Sequence, residues 1–331
     1  SFYYLANNSI PLFIFSFSYH RSNRNSLLGR SLIYYSCKND YSTQLLRLIL
    51  MAIIDGKKVS SHIIENITTE VKALKLKTEK SPGLAVILVG DDPASAVYVR
   101  NKNKTCTNMG FQSFEKILPS DTSELKLLNL IDDLNNNQNI NGILVQLPLP
   151  KHISSHKILE AIKPEKDVDG FHLKNVGRLV TGNAAFKPCT PAGIIELLDQ
   201  YKVQIEGKNA VVLGRSNIVG KPVAFLLLAR NATVTICHSH TKDLPSITRS
   251  ADILIAAIGK PNFVTPVMVK KNAVVIDVGI NRINDKLVGD VDYESVLKKA
   301  SLITPVPGGV GPMTIAMLMA NTLQAFKNSL S

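Results

Sequence analysis

From Lys58 onward, short apolar runs bounded by glycine and proline alternate with longer stretches of helical period, which limits the chain to an α/β architecture with parallel strands. Leu84–Val89 (LAVILV) stands between Pro82-Gly83 and Gly90-Asp91-Asp92-Pro93 and reads as a buried strand. Around it the spacing predicts helices over 59–77, 94–109, 123–135 and 154–162, and strands over 111–118 and 143–147. A β-α-β-α-β run of this kind implies a parallel sheet with right-handed crossovers. After a loop-rich stretch, 164–190, the series restarts. A helix is expected over 191–201, then strands at Ala210–Leu213, Thr233–Cys237, Ile253–Ala257, Val274–Val278 and Leu302–Ile303. Helices are expected over 221–230 and, to close the chain, 313–327. The expectation is two α/β units, the first ending near 190, with the final helix free to return to it.

The bulk properties narrow the partners. The longest apolar runs fall short of 18 residues, so no membrane-spanning helix is expected. The formal net charge is +12, but the basic residues are scattered, without a block of five or six. A solvated basic surface explains this better than a nucleic-acid footprint, and an anionic cofactor with an acidic substrate suits the sign. Cys37, Cys106, Cys189 and Cys237 are far apart and form no CxxC pair, which argues against a zinc site or a disulfide framework and for a reducing compartment. Residues 1–50 differ from the rest: they are rich in Tyr, Phe, Ser and Asn, with Arg21, Arg24, Arg30, Lys38 and Arg47 against the single acid Asp40. Met51-Ala52-Ile53-Ile54-Asp55-Gly56-Lys57 reads as a natural start preceded by upstream translation. An organelle transit peptide is the alternative reading of this acid-poor segment. In either case residues 1–50 are expected to pack poorly.

Gly214-Arg215-Ser216-Asn217-Ile218-Val219-Gly220 follows an apolar strand and precedes Lys221-Pro222 and an apolar helix. A glycine turn at that junction suits a phosphate, because the backbone can approach closely and the helix N-terminus favours negative charge. The P-loop is not met: five residues separate the glycines, and Pro222 stands where a Ser or Thr would bind Mg²⁺. GxGxxG is not met either, since Ser216 replaces the second glycine. The strand 233–237 ends in Cys237-His238-Ser239-His240-Thr241, without the carboxylate that would hold a ribose 2′-OH. Arg215 and Ser216 offer a cation and a hydroxyl instead, so NADP is preferred to NAD. A plain tight turn, followed by ordinary loop histidines, would leave the same residues.

In the first unit, Tyr98 and Lys102 stand at i and i+4 of one helix and so share a face. A desolvated lysine can move protons and a tyrosine can stack on a substrate ring; a solvated lysine beside a half-buried tyrosine is the plainer reading. Gln146 lies at the C-terminal end of a strand, the edge where ligands gather in open α/β sheets. Lys166-Asp167-Val168-Asp169-Gly170 fails the calcium-loop pattern, since its glycine comes too early and no Glu follows at the twelfth position. Its carboxylates suit a heterocycle, or an Asx turn. His152 and His156 lack the Glu of HExxH and count as surface residues. Pro307-Gly308-Gly309-Val310-Gly311-Pro312 reads as a rigid, backbone-exposing loop before the last helix.

Taken together, YVRNKNKTCTNMGF (98–111), GILVQLPLP (142–150), PEKDVDGFH (164–172), PCTPAGI (188–194), GRSNIVGKP (214–222), VVIDVGIN (274–281) and TPVPGGVGPMT (304–314) resemble the bifunctional methylenetetrahydrofolate dehydrogenase/methenyltetrahydrofolate cyclohydrolase family. The resemblance runs from about 53 to 327, and DVDGFH is similar to bacterial members, which implies a cytoplasmic enzyme, with mitochondrion or plastid as the alternative if a leader is present. It implies two α/β domains with parallel sheets: a folate-binding catalytic domain of 51–190 plus 305–331 and a Rossmann-like NADP-binding domain of 191–304, with the active-site cleft between them. It implies Lys102 as the key catalytic residue, with Tyr98 stacking near the folate, Gln146 tuning the lysine and Asp169 holding the pterin. Val145, Leu147, Pro307, Gly308 and Gly309 would complete the folate site. Gly214, Arg215, Ser216, Ser239 and Ile280 would hold the cofactor. The implied substrate is 5,10-methylenetetrahydrofolate and the implied assembly a homodimer. The alternatives are another two-domain NADP dehydrogenase, acting on an amino acid or a shikimate-like acid, and a nucleotide sensor without turnover.

Overall fold

The computed structural model describes residues 52–284 and 286–330; Cys37 and the expectation that residues 1–50 pack poorly lie outside that range. Among the described residues the first helix, α1 (Gly56–Thr78), starts where the Asp55 carboxylate accepts from the Lys58 amide, and ends at Glu79 in the left-handed region. Then follow β1 (Gly83–Val89), α2 (Pro93–Asn108), β2 (Gln112–Leu118), α3 (Glu124–Asn136), β3 (Gly142–Val145), α4 (Ser155–Ala161) and α5 (Leu173–Val180). The three strands form a parallel sheet in the order β2-β1-β3. Every residue of the central strand is buried, and alternate side chains enter different clusters, as a pleat of period two requires. Leu84, Val86 and Leu88 pack with Leu318, Met319 and Phe326 from the last helix. Ala85, Ile87 and Val89 pack with Leu127, Ile131 and Ile158 of α3 and α4.

The second unit begins with α6 (Cys189–Gln200) and continues through β4 (Asn209–Leu213), α7 (Gly220–Leu228), β5 (Thr233–Cys237), α8 (Leu244–Arg249), β6 (Ile253–Ala256), β7 (Val274–Asp277), the hairpin β8 (Asn281–Ile283) and β9 (Lys286–Val288), α9 (Tyr293–Leu297) and β10 (Leu302–Ile303). Its five-stranded sheet has the order β10-β7-β6-β4-β5, parallel throughout. The chain therefore steps from β4 to β5 on one side and then to β6 on the other, which makes the β4/β6 junction a topological switch point. The closing helix α10 (Val310–Leu330) bridges the two cores: Val310 and Met313 pack with Ile194, Leu197 and Ile276 of the second unit, while Leu318 to Phe326 serve the first. Backbone pairing of Ala52 and Ile54 with Ile303 ties the segment before α1 to the second sheet as well.

Contact between α6 and α10 depends on Gly193, where an added Cβ would stand 2.7 Å from the Met313 Cβ. Gly193→Ala should therefore destabilise the fold by about 1–3 kcal/mol, the usual cost of overpacking, read by urea denaturation. An unchanged midpoint would show that the two helices can separate without loss.

The structure departs from the expected elements in short segments. The stretch 164–190, read as loop, contains α5, whose eight residues are too few to show a period; the His172 ring accepts from the Lys174 amide at its start. The hairpin β8/β9 and the helices α8 and α9 are equally short. The final helix begins at Val310, so Gly311 and Pro312 belong to its first turn rather than to the loop. That position tolerates proline because its backbone N–H would have no partner within the helix.

Candidate active site

Lys102 lies on α2 and is only 7% exposed, rare for a lysine without a partner. Its Nζ donates to Gln146 Oε1 at 3.0 Å. Gln146, just past the end of β3, donates its own Nε2 to the Leu147 carbonyl at 2.8 Å, which turns its oxygen toward the amine. The two acids of the 167–169 segment divide their tasks. Asp167 is buried and accepts from the amides of Phe171 (3.2 Å) and His172 (2.9 Å) and from Asn175 Nδ2 (2.8 Å), so it clamps its own loop. For Asp169 burial raises the pKa, and the charge of Lys102 opposes that rise. Burial also holds the neighbouring Cys189 thiol well above its usual range, which makes it a poor nucleophile. Val145, by contrast, points into the core of the first sheet.

One helical turn before Lys102, Tyr98 is half-buried, and burial raises the pKa of its phenol. It lines a cavity of about 380 Å³ together with Lys57, Asn101, Ile280, Leu287 and the 305–312 segment, including Pro307, Gly308 and Gly309. The cavity thus joins the helix after β1 to the loops after β7 and β10, the C-terminal edges of both sheets. A larger recess, of about 770 Å³, opens beside Ser81, Gln112 and Asn141 at the N-terminal edge of the first sheet, away from these groups. The peptide bonds Leu147–Pro148 and Val306–Pro307, both beside site residues, are cis.

The glycine turn follows β4 as the sequence predicts. Gly214 has φ +125°, and a Cβ there would stand 2.1 Å from the Ala257 carbonyl oxygen, so the turn is closed to any side chain. Ser216 Oγ accepts from the amides of Val219 and Gly220 at 3.2 Å each, covering the start of α7. Arg215, Ser216 and, after β5, Ser239 are exposed along the same sheet edge. The structure therefore gathers the predicted residues into three groups: Lys102, Gln146, Leu147 and Asp169; Tyr98, Ile280 and 307–309 around the cavity; and Gly214, Arg215, Ser216 and Ser239 at the turn. Among the described residues, no cluster of His, Cys, Asp and Glu could hold a metal ion, and no helix is long and apolar enough to cross a membrane.

Family models match the chain twice: the catalytic domain of tetrahydrofolate dehydrogenase/cyclohydrolase over residues 54–169, and its NAD(P)-binding domain over 188–330. The chain belongs to the tetrahydrofolate dehydrogenase/cyclohydrolase family. A curated relative, the bifunctional protein FolD of Chlorobium phaeobacteroides, is 57% identical over 289 residues, covering 83% of this chain and 97% of its own. The crystal structure of FolD from Campylobacter jejuni superposes with a TM-score of 0.82 at 51% identity, covering 83% of this chain and 98% of that one. The Trypanosoma brucei FolD, solved with NADP and an inhibitor, gives 0.82 at 42% identity over 84% and 98%.

The cavity also has lining residues that sequence reasoning did not single out. Asn101, three residues after Tyr98, was legible from helical spacing; Lys57 was not, because its own amide reaches the Gly308 carbonyl (3.1 Å) only in the folded chain. Asp277, at the end of β7, is a further cavity-lining residue. Burial pushes its carboxyl up to about 6, against the amides of Asp290, Val291 and Gly279, which pull it down. Because the folded pKa lies above the unfolded value, the native state holds this proton where the unfolded chain has released it. Its contribution to stability is present below about pH 4 and lost as pH rises through about 6. The loss amounts to about 3 kcal/mol. Chemical denaturation of the native chain and of Asp277→Asn should show this slope between those two pH values only in the former; equal slopes would remove the assignment.

Proposed function

We infer that this enzyme oxidises 5,10-methylenetetrahydrofolate to 5,10-methenyltetrahydrofolate with NADP and hydrolyses the product to 10-formyltetrahydrofolate. The observation that carries the reading is the buried Lys102–Gln146 pair one helical turn from Tyr98, whose cavity is also lined by Ile280 from the loop after β7 of the second unit. The glycine turn between β4 and the N-terminus of α7 suits a dinucleotide phosphate. Exposed Arg215, with no carboxylate in the residues just after β5, fits a 2′-phosphate, so Gly214, Arg215, Ser216, Ser239 and Ile280 would hold NADP. When bound, that cofactor accepts the hydride from the one-carbon bridge.

The residues of this chain then have distinct tasks. Tyr98 stacks on the folate, Asp169 hydrogen-bonds the pterin, and the backbone of 145–147 and 307–309 walls the site. Loss of hydride leaves an amidinium-like cation on the substrate, so the first step needs orientation rather than a strong base. In the second step water adds to the bridging carbon and releases one proton; the carbinol O–H then gives up the other as C=O forms and the C–N bond breaks, and the ring nitrogen takes up that proton. Lys102 Nζ, held by Gln146 Oε1, moves these protons. We assign the folate-binding domain to 51–190 plus 305–331 and the NADP-binding domain to 191–304; the packing of Leu318 to Phe326 on the first core supports this, while Val310 and Met313 at the start of α10 pack with the second. The family resemblance supports a homodimer working in the cytoplasm. The deciding experiment supplies methylenetetrahydrofolate with NADP⁺ and then NAD⁺, following reduced cofactor and methenyl product together. Reduction with NADP⁺ and transient methenyl product support the reading; absence of both overturns it.

A further inference from the structure

The loop after β6 presents three successive amides, Ile258, Gly259 and Lys260, at the switch point where a dinucleotide is expected. Consecutive N–H groups turned the same way form an anion-binding concavity. Here the anion is internal. Asp290, with no solvent exposure, accepts from Ile258 N at 2.7 Å, Gly259 N at 2.9 Å and Lys260 N at 2.8 Å. The same carboxylate accepts from Asn281 Nδ2 at 3.0 Å, and its backbone N–H donates to Asp277 Oδ1 at 2.8 Å. Two loops are therefore tied to one side chain. The first, 257–260, backs the glycine turn, since the Ala257 carbonyl is what closes Gly214. The second, 278–281, carries Ile280 on the cavity wall.

We propose that Asp290 is a positioning residue for the dinucleotide: by filling the amide concavity after β6 and clasping Asn281, it sets the spacing between the glycine turn and Ile280 at which NADP presents its nicotinamide to the folate. The proposal rests on the dehydrogenase reading above. Charge-assisted hydrogen bonds from three backbone donors hold a loop more rigidly than neutral ones, and a shift of about 1 Å at a reacting pair can cost on the order of 100-fold in rate. The cyclohydrolase step uses Lys102 and water without the cofactor, so the clasp should bear on the two activities unequally.

The test compares three readouts in the full chain: NADPH affinity by fluorescence titration, dehydrogenase kcat/KM, and hydrolysis of supplied methenyltetrahydrofolate without cofactor. Asp290→Asn turns an amide N–H₂ toward backbone donors. It should weaken NADPH binding and lower the ratio of dehydrogenase to cyclohydrolase by about 10- to 100-fold. Asn281→Ala removes only the arm to the second loop, from a partly exposed side chain, and should move the ratio the same way by a smaller factor; it decides the matter if Asp290→Asn does not fold. An unchanged ratio and NADPH affinity in whichever variant folds, including an equal fall of both activities with a lower Tm, would overturn the proposal. A native chain that neither binds NADPH nor reduces NADP⁺ would instead sink the dehydrogenase reading itself.

Discussion

Replacing Lys102 with methionine is expected to cut hydrolysis of methenyltetrahydrofolate by on the order of 10²- to 10⁴-fold, the range of a single general acid–base group, while NADPH binding is retained. Methionine preserves most of the stem of a side chain that is only 7% exposed, so α2 should keep its packing. What disappears is the amine that Gln146 Oε1 holds at 3.0 Å. The measurement is loss of the methenyl chromophore without cofactor, beside a fluorescence titration with NADPH. Hydrolysis at the native rate would mean that the proton carrier is another group. Gln146, whose amide is oriented by the Leu147 carbonyl, would then lose its role as well.

Gly214→Ala is expected to act at the other end of the site. A methyl group would stand 2.1 Å from the Ala257 carbonyl oxygen, and the residue would have to hold φ +125° with a side chain. Holding such a conformation costs about 1–3 kcal/mol, and relief requires the turn or the loop after β6 to move. Since both border the switch-point crevice, NADPH affinity and dehydrogenase turnover should fall by on the order of 100-fold. Cyclohydrolase activity should fall much less, because Lys102, Gln146 and Asp169 belong to the other unit. The variant thus separates the activities in the opposite sense to Lys102→Met. Native NADPH affinity in folded Gly214→Ala would show that the phosphate binds elsewhere.

Much of the scaffold was legible in the chain because its strands are apolar runs with glycine and proline at their ends. Leu84–Val89 and Thr233–Cys237 lie within or coincide with β1 and β5, and the i, i+4 spacing of Tyr98 and Lys102 places both on α2. The segments that escaped are those too short for a period, such as α5 and the β8/β9 hairpin, which carries the clasping Asn281. Asp167 and Asp169 could not be told apart by composition. They differ only in what surrounds them, backbone donors for one and the Lys102 amine for the other.

Local pattern therefore determined the α/β alternation, the parallel strands, the glycine turn and the chemical character of the site residues, since each depends on a few neighbours along the chain. Tertiary structure alone decided that α10 belongs to both cores, that Lys57 and Ile280 line the same cavity, and that the Asp290 carboxylate fills a concavity 30 residues away. Those relations come from the packing of surfaces distant in sequence, where burial and hydrogen-bond partners, not propensity, select among residues of the same type.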